Sequence, residues 1–133
     1  MDYQSFLAAL QQWAQKESAL WGLLLVGSYA RGTATAASDI DLILFTESPD
    51  IYLGDMTWID YFGTIHSKNA EDWGLLQSVR VFFAGGPEVE FGITSSRWLA
   101  LPLDEGTRQV LMDGYRILYD PEGKLAQLRI VLS

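Results

Sequence analysis

Two short segments, residues 26–32 (VGSYARG) and 38–42 (SDIDL), carry the most chemical information in the chain. In the first, Gly27 and Ser28 end an apolar run and begin a turn rich in small residues, where backbone N–H groups can face an anion. A glycine at such a turn lets a phosphate approach the main chain closely. The first segment therefore predicts a phosphate site.

The second segment puts two carboxylates at the start of a strand. Residues 38–45 alternate polar and apolar side chains and then become wholly apolar, which is typical of a strand whose start faces solvent or a site. Asp39 and Asp41 are two positions apart, so their side chains project from one face and can share a metal ion. Two carboxylates this close repel each other unless a cation lies between them. We interpret them as a metal pair rather than as a capping pair without a ligand.

A third carboxylate is available from a predicted hairpin. Residues 77–84 and 88–94, joined by a Gly-Gly-Pro turn, predict its two strands. Glu88 and Glu90 share one face, so either could complete the site or lie on a solvated surface. Because magnesium combines one or two carboxylates with substrate phosphates, such a site implies a nucleoside triphosphate. The reaction would be attack of an acceptor oxygen on a phosphate, with two metal ions stabilising the entering and leaving oxygens.

The remaining sequence predicts a small α/β domain. Apolar residues recur at helical spacing over residues 3–14, and residues 19–26 form a short apolar run typical of a buried strand. The further predictions are a loop at 46–54, a short helix at 55–63, a helix at 104–112, a strand at 115–119 and a closing helix at 121–132. This order indicates an α/β (α+β) fold, a small mixed β-sheet with helices packed on it, as a single domain over residues 1–133.

Composition excludes several classes of protein. The chain has 133 residues and no cysteine, which excludes thiolate zinc sites, iron–sulfur clusters and a disulfide scaffold. Its net charge of −8, with no basic stripe, argues against nonspecific nucleic-acid binding. The longest apolar run, residues 19–26, is far shorter than the roughly 18 residues that cross a bilayer, and the N-terminus lacks a secretion signal. We expect a cytoplasmic protein without nucleic-acid or membrane partners.

The chain contains a motif that resembles the signature of the polymerase-β-like nucleotidyltransferase superfamily. The motif consists of Gly27 and Ser28, ten further residues, and then Asp39-x-Asp41. The resemblance implies the nucleotidyltransferase fold, with a helix start at Gly27 and Ser28 that holds the triphosphate. It also implies two magnesium ions on Asp39 and Asp41, completed by a third acidic residue on a later strand. Arg31 would contact a phosphate or the acceptor, or else pair with an acid near the turn.

Several segments between residues 58 and 91 resemble bacterial aminoglycoside 6-adenylyltransferases, among them WIDYFG at 58–63 and GPEVEF at 86–91. In those enzymes the third carboxylate follows a glycine, two residues and an aliphatic residue. That register implies Glu90 rather than Glu88 as the third metal ligand or the general base. The family mostly has aspartate at this position, so the carboxylate here sits one methylene further from the backbone.

The resemblance implies a magnesium-dependent nucleotidyltransferase that moves AMP from ATP to a hydroxyl of a small molecule or protein and releases pyrophosphate. The aminoglycoside enzymes have a second, helical domain that residues 1–133 do not match, so we expect the acceptor site to be built across a homodimer or with a small helical partner of the HEPN type. The alternative is an antitoxin-like or nucleotide-binding protein of the same fold, which would act by binding a partner without turnover.

Overall fold

A computed structural model of the chain describes residues 2–133, and its centre is a mixed β-sheet. The strands are β1 (Leu20–Val26), β2 (Ile40–Thr46), β3 (Ile65–Asp72), β4 (Leu76–Phe83), β5 (Glu88–Thr94) and β6 (Arg116–Tyr119). They lie in the order β3-β4-β5-β2-β1-β6. The β2–β5 pair is parallel, and the other neighbouring pairs are antiparallel. The first residues of β2 and β5 therefore lie side by side.

Helices cover both faces of this sheet. They are α1 (Tyr3–Gln15), α2 (Gly27–Arg31), α3 (Asp50–Leu53), α4 (Glu105–Met112) and α5 (Leu128–Val131), with 3-10 turns at Thr57–Phe62, Ser96–Leu99 and Leu125–Gln127. An aspartate caps each of the two longer helices: Asp2 accepts a hydrogen bond from the Ser5 N–H, and Asp104 accepts from the N–H groups of Gly106 and Thr107 in the first turn of α4. None of the helices in residues 2–133 has the length and apolar character needed to cross a membrane.

The larger core lies between α1 and one face of the sheet. Phe6 and Leu10 of α1 are fully buried against alternate residues of the central strands, among them Leu23 and Leu44. Burying a side chain of this size stabilises the fold by about 1.5–3 kcal/mol. The apolar face of α1 is therefore what fixes the helix to the sheet.

A smaller core lies on the opposite face. Leu24, Ile43 and Phe45 point to this side and pack with Leu111 of α4 and with Leu128 of α5. Since β1 is covered on both faces, all of its residues are buried, which explains its uninterrupted apolar sequence. The carboxylates of the predicted site lie on this second face, where the core is incomplete.

The predicted α/β fold with a small mixed sheet is confirmed. The amphipathic helix at 3–14, the strand at 19–26, the hairpin at 77–94 and the helix at 104–112 are present within a few residues of their predicted bounds. A helical turn is also present within 55–63, of the 3-10 type, and the Asp55 side chain accepts a hydrogen bond from the Thr57 N–H at its start.

Two predictions along the chain are wrong, and one strand was not predicted. The predicted loop at 46–54 contains α3. The predicted closing helix at 121–132 begins only at Leu125, because the Asp120 carboxylate accepts hydrogen bonds from the N–H groups of Leu125 and Ala126 and starts the helical turn there. Strand β3 was not predicted, because nearly all of its side chains are exposed and so show no apolar periodicity.

Candidate active site

The site forms where β2 and β5 begin. Asp39 immediately precedes β2, Asp41 is its second residue, and the parallel pairing sets Asp41 beside Glu90 of β5. Side chains two positions apart on a strand share a face, so all three carboxylates project to the same side of the sheet. Asp39, Asp41 and Glu90 each offer an oxygen, and these atoms all lie within 4.8 Å of one another. The structure thus brings together the three predicted acidic residues.

Asp41 has a strongly raised pKa. Burial raises its pKa from 3.8 to about 8, and the neighbouring charges of Asp39 and Glu90 act in the same direction. Its Oδ1 atom is buried and has no hydrogen-bond partner among residues 2–133. A buried carboxylate oxygen without a donor is costly unless a proton or a cation meets it. This unpaired oxygen, together with the all-oxygen donor set, fits a divalent cation such as magnesium.

Gly27 connects the phosphate turn to this cluster. It begins α2 directly after β1, and Val26 pairs with Asp41 across the sheet. Its φ of +74° lies in the left-handed region, which favours glycine. A Cβ atom at this position would also overlap Oδ2 of Asp41. Gly27 is therefore needed both for the turn and for the close approach of the carboxylate.

The other predicted nucleotide residues lie on the same helix. Ser28 is half-buried, and its carbonyl accepts hydrogen bonds from the N–H groups of Gly32 and Thr33 at the end of α2. Arg31 is exposed, lines the cavity described below and forms no ion pair within residues 2–133. Of the two alternatives for Arg31, pairing with a nearby acid is therefore not observed.

Arg80 is a site residue that the sequence did not reveal. It lies on β4 opposite Glu90 of β5. Its guanidinium donates from Nη1 to Asp39 Oδ2 at 3.0 Å and to Glu88 Oε2 at 2.6 Å, and from Nη2 to Glu90 Oε2 at 3.2 Å. In the sequence, Arg80 is one polar residue in an alternating strand and is indistinguishable from a solvated position. Pairing the predicted hairpin across its turn places Arg80 on the same face as Glu88 and Glu90, and this shared face was the signal that could have found it.

Glu88 and His66 lie outside the acidic cluster. Glu88 pairs with Arg80 and is not one of the three residues whose carboxylate oxygens lie within 4.8 Å of one another, whereas Glu90 is one of them. His66 is exposed on the edge strand β3.

A cavity of about 520 Å³ adjoins the carboxylates. Its lining combines Gly27, Arg31, Asp41 and Glu90 with Asp104 and Asp113 and with apolar side chains that include Trp73, Leu76, Trp98 and Val110. A concave space with apolar walls and a few polar groups is typical of small-molecule sites. A cation and an anionic ligand could meet beside Asp41 and Glu90.

The chain belongs to the nucleotidyltransferase family. The sequence model of that family, described as the nucleotidyltransferase domain, matches residues 9–81, which include both the Gly27 turn and the aspartate pair. The predicted resemblance to polymerase-β-like nucleotidyltransferases is thereby confirmed. No curated protein has a matching sequence.

Solved structures share the fold at low sequence identity. An aminoglycoside 6-adenyltransferase from Bacillus subtilis is similar with a TM-score of 0.60 and 13% identity, over 74% of this chain and 37% of that one. A cytoplasmic RNA terminal U-transferase is similar with a TM-score of 0.51 and 13% identity, over 85% of this chain and 34% of that one. The chain thus spans little more than a third of the length of either relative. At this identity the likeness shows the fold alone.

Proposed function

We propose that the protein is a magnesium-dependent nucleotidyltransferase that transfers AMP from ATP to a hydroxyl of a small molecule or protein and releases pyrophosphate. The observation that carries the proposal is the convergence of Asp39, Asp41 and Glu90 beside a cavity that Asp41 and Glu90 line, within a family defined by nucleotide transfer. The unpaired buried oxygen of Asp41 supports a cation at that point.

The reaction exchanges one P–O bond for another. The acceptor oxygen attacks the α-phosphorus, the bond from that phosphorus to the bridging oxygen of the β-phosphate breaks, and pyrophosphate leaves with the bonding electron pair. The hydroxyl proton passes to a carboxylate, a role that Glu90 can take from its position beside Asp41. Two magnesium ions, when bound, would stabilise the entering and leaving oxygens of such a displacement.

Each residue of the site has a distinct role in this proposal. Asp39, Asp41 and Glu90 hold the metal ions, and Glu90 also supplies either remaining coordination or the base. Gly27 and Ser28 hold the triphosphate, since a glycine lets a phosphate approach the main chain closely. Arg31, which is exposed and free of ion pairs within residues 2–133, contacts a phosphate oxygen.

The cavity beyond the carboxylates would receive the rest of the substrates. Its apolar lining residues, among them Trp73 and Trp98, suit a nucleobase or the apolar part of an acceptor. We propose that further elements of the acceptor site come from a second copy of the chain or from a small helical partner protein. The cytoplasm is the compartment that we propose for this reaction.

Labelled nucleotides test the proposal. The protein is incubated with Mg²⁺ and each of four nucleoside triphosphates labelled at the α-phosphate, with an aminoglycoside panel or a cell lysate as acceptor, and labelled products and pyrophosphate are measured. We expect transfer from ATP. Self-labelling of the protein on tyrosine or serine is checked in the same experiment. Transfer from UTP alone would contradict the assignment of AMP.

Two variants give the matched comparison. Asp41→Asn should abolish transfer, while Asp60→Asn, the same change at an exposed position on the 3-10 turn at Thr57–Phe62, should leave it unchanged. Unchanged turnover in Asp41→Asn would refute the proposal. If the unaltered protein binds ATP but releases no pyrophosphate, the alternative function is supported, that of a nucleotide-binding protein that acts without turnover.

A further inference from the structure

Arg80 contacts three carboxylates from two separate segments of the chain. Asp39 precedes β2, whereas Glu88 and Glu90 lie on β5, and the guanidinium reaches all three at 2.6–3.2 Å. Its position is fixed by the sheet, because the antiparallel register of β4 and β5 sets Arg80 directly opposite Glu90. Two of its three partners, Asp39 and Glu90, belong to the acidic cluster.

This arrangement differs from an ordinary surface ion pair. The side chains of Arg80 and Glu88 are 32% and 34% exposed, and those of Asp39 and Glu90 are 26% and 23% exposed, so all four are partly buried. An exposed pair between two flexible side chains contributes little, whereas a planar guanidinium that bridges several carboxylates at fixed angles restricts each of them. Arg80 is thus placed to control the orientation and the charge of the cluster.

We propose that Arg80 is a positioning residue for nucleotidyl transfer: an internal cation that orients Asp39 and Glu90 and limits how tightly the cluster binds a divalent ion. The inference rests on the proposed function. Glu88, which lies outside the cluster, anchors the guanidinium through the 2.6 Å contact to Nη1, the nitrogen that also donates to Asp39.

Opposite effects on metal binding and on catalysis follow from this role. Arg80 donates to Asp39 Oδ2 and Glu90 Oε2, so it competes with a metal ion for carboxylate charge and repels the ion directly. Removing the charge should therefore tighten metal binding. The same change frees Glu90 to leave its orientation beside Asp41, and the transfer step should slow.

Three variants separate charge from geometry. Arg80→Gln removes the charge, and Arg80→Lys keeps it but replaces the planar fork with a single ammonium. Arg129→Gln is the matched control, since Arg129 is exposed on α5 and forms no ion pair within residues 2–133. For each protein, the Mn²⁺ dissociation constant is measured without nucleotide by electron paramagnetic resonance, and kcat and KM are measured by pyrophosphate release.

For Arg80→Gln we expect Mn²⁺ binding about tenfold tighter and kcat about thirtyfold lower. For Arg80→Lys we expect a dissociation constant within about threefold of the unaltered protein and kcat about tenfold lower. Arg129→Gln should match the unaltered protein in both. A role confined to folding would not tighten metal binding, so the opposite shifts are specific to the inference.

Unchanged or weaker Mn²⁺ binding by folded Arg80→Gln would overturn the inference. If Arg80→Gln does not fold, Arg80→Lys with an unchanged kcat would overturn it as well. Failure of the proposed function is recognised separately: the unaltered protein would release no pyrophosphate from any nucleotide, while the comparison of Mn²⁺ dissociation constants would still support or contradict the charge role of Arg80.

Discussion

Gly27 lies directly against the carboxylate of Asp41: a Cβ atom on the glycine would come within 3.1 Å of Asp41 Cγ and would overlap Oδ2. The turn that begins α2 and the acidic start of β2 are therefore one structural unit. Antiparallel pairing of Val26 with Asp41 brings the two together. The presence of glycine in the Gly-Ser pair thus has a physical reason that does not depend on a bound nucleotide.

Replacing Gly27 by alanine should impair both stability and transfer. The φ of +74° costs an alanine about 1–2 kcal/mol, and its methyl group would displace the Asp41 carboxylate. Gly32→Ala is the matched control, since its φ is +78° but open space surrounds the position. Urea unfolding should show a loss for both variants, larger in Gly27→Ala because its methyl group also displaces Asp41, whereas pyrophosphate release should fall about tenfold or more only in Gly27→Ala. Equal rates in the two variants would contradict the close approach of Gly27 to Asp41.

The two glutamates of β5 should differ sharply in their effect on transfer. Glu90→Gln removes a member of the acidic cluster and should lower kcat by about a hundredfold or more. Glu88→Gln removes only an anchor of Arg80 and should lower it by less than about tenfold. Steady-state kinetics on both variants give the comparison. The reverse order would mean that Glu88, and not Glu90, is the third acid.

The raised pKa of Asp41 predicts how stability varies with pH in the absence of metal. The folded protein keeps a proton on Asp41 up to a pKa of about 8, whereas the unfolded chain releases it near 3.8. The free energy of unfolding should therefore fall as pH rises from about 4 to 8. Above pH 8, Asp41 is ionised in both states and should cause no further change. Asp41→Asn stays neutral and should lose this share of the slope. Denaturant unfolding in EDTA at several pH values measures the difference, and identical slopes would contradict the raised pKa.

Arg31 should contribute to nucleotide binding. It lines the cavity beside Asp41 and Glu90 without an ion pair in the described part of the chain. A hydrogen bond between charged groups contributes about 1.5–3 kcal/mol, so Arg31→Gln should lower kcat/KM for the triphosphate by about ten- to a hundredfold. The exposed Arg129→Gln again serves as the control. A change in kcat/KM of less than twofold in Arg31→Gln would show that Arg31 does not contribute to nucleotide binding.

The sequence predicted those parts of the fold and site that depend on local patterns. Continuous or periodic apolar residues were sufficient for α1 and β1. For α4, the helix start after Pro102 and the stop at Asp113 and Gly114 were sufficient. The spacing of Asp39 and Asp41 on one strand was sufficient to predict that they share a face. The choice of Glu90 over Glu88 required the resemblance to the aminoglycoside enzymes, because both glutamates lie on the same face of one predicted strand.

Features that depend on pairing between distant segments could not be predicted in the same way. Arg80 joins the cluster only because β4 pairs with β5 while β5 pairs with β2. Strand β3 is held by its backbone pairing with β4 and has no buried face of its own to mark it. The late start of the C-terminal helical turn depends on hydrogen bonds to the Asp120 side chain rather than on apolar periodicity.

The position of the metal ions tests the central claim most directly. Crystals of the protein with Mn²⁺ and a non-hydrolysable ATP analogue would locate manganese by its anomalous scattering. We predict peaks about 2 Å from carboxylate oxygens of Asp39, Asp41 and Glu90, with the triphosphate beside Gly27 and Ser28. Manganese bound only elsewhere, or Glu90 turned away from the two aspartates with the nucleotide in place, would contradict the account.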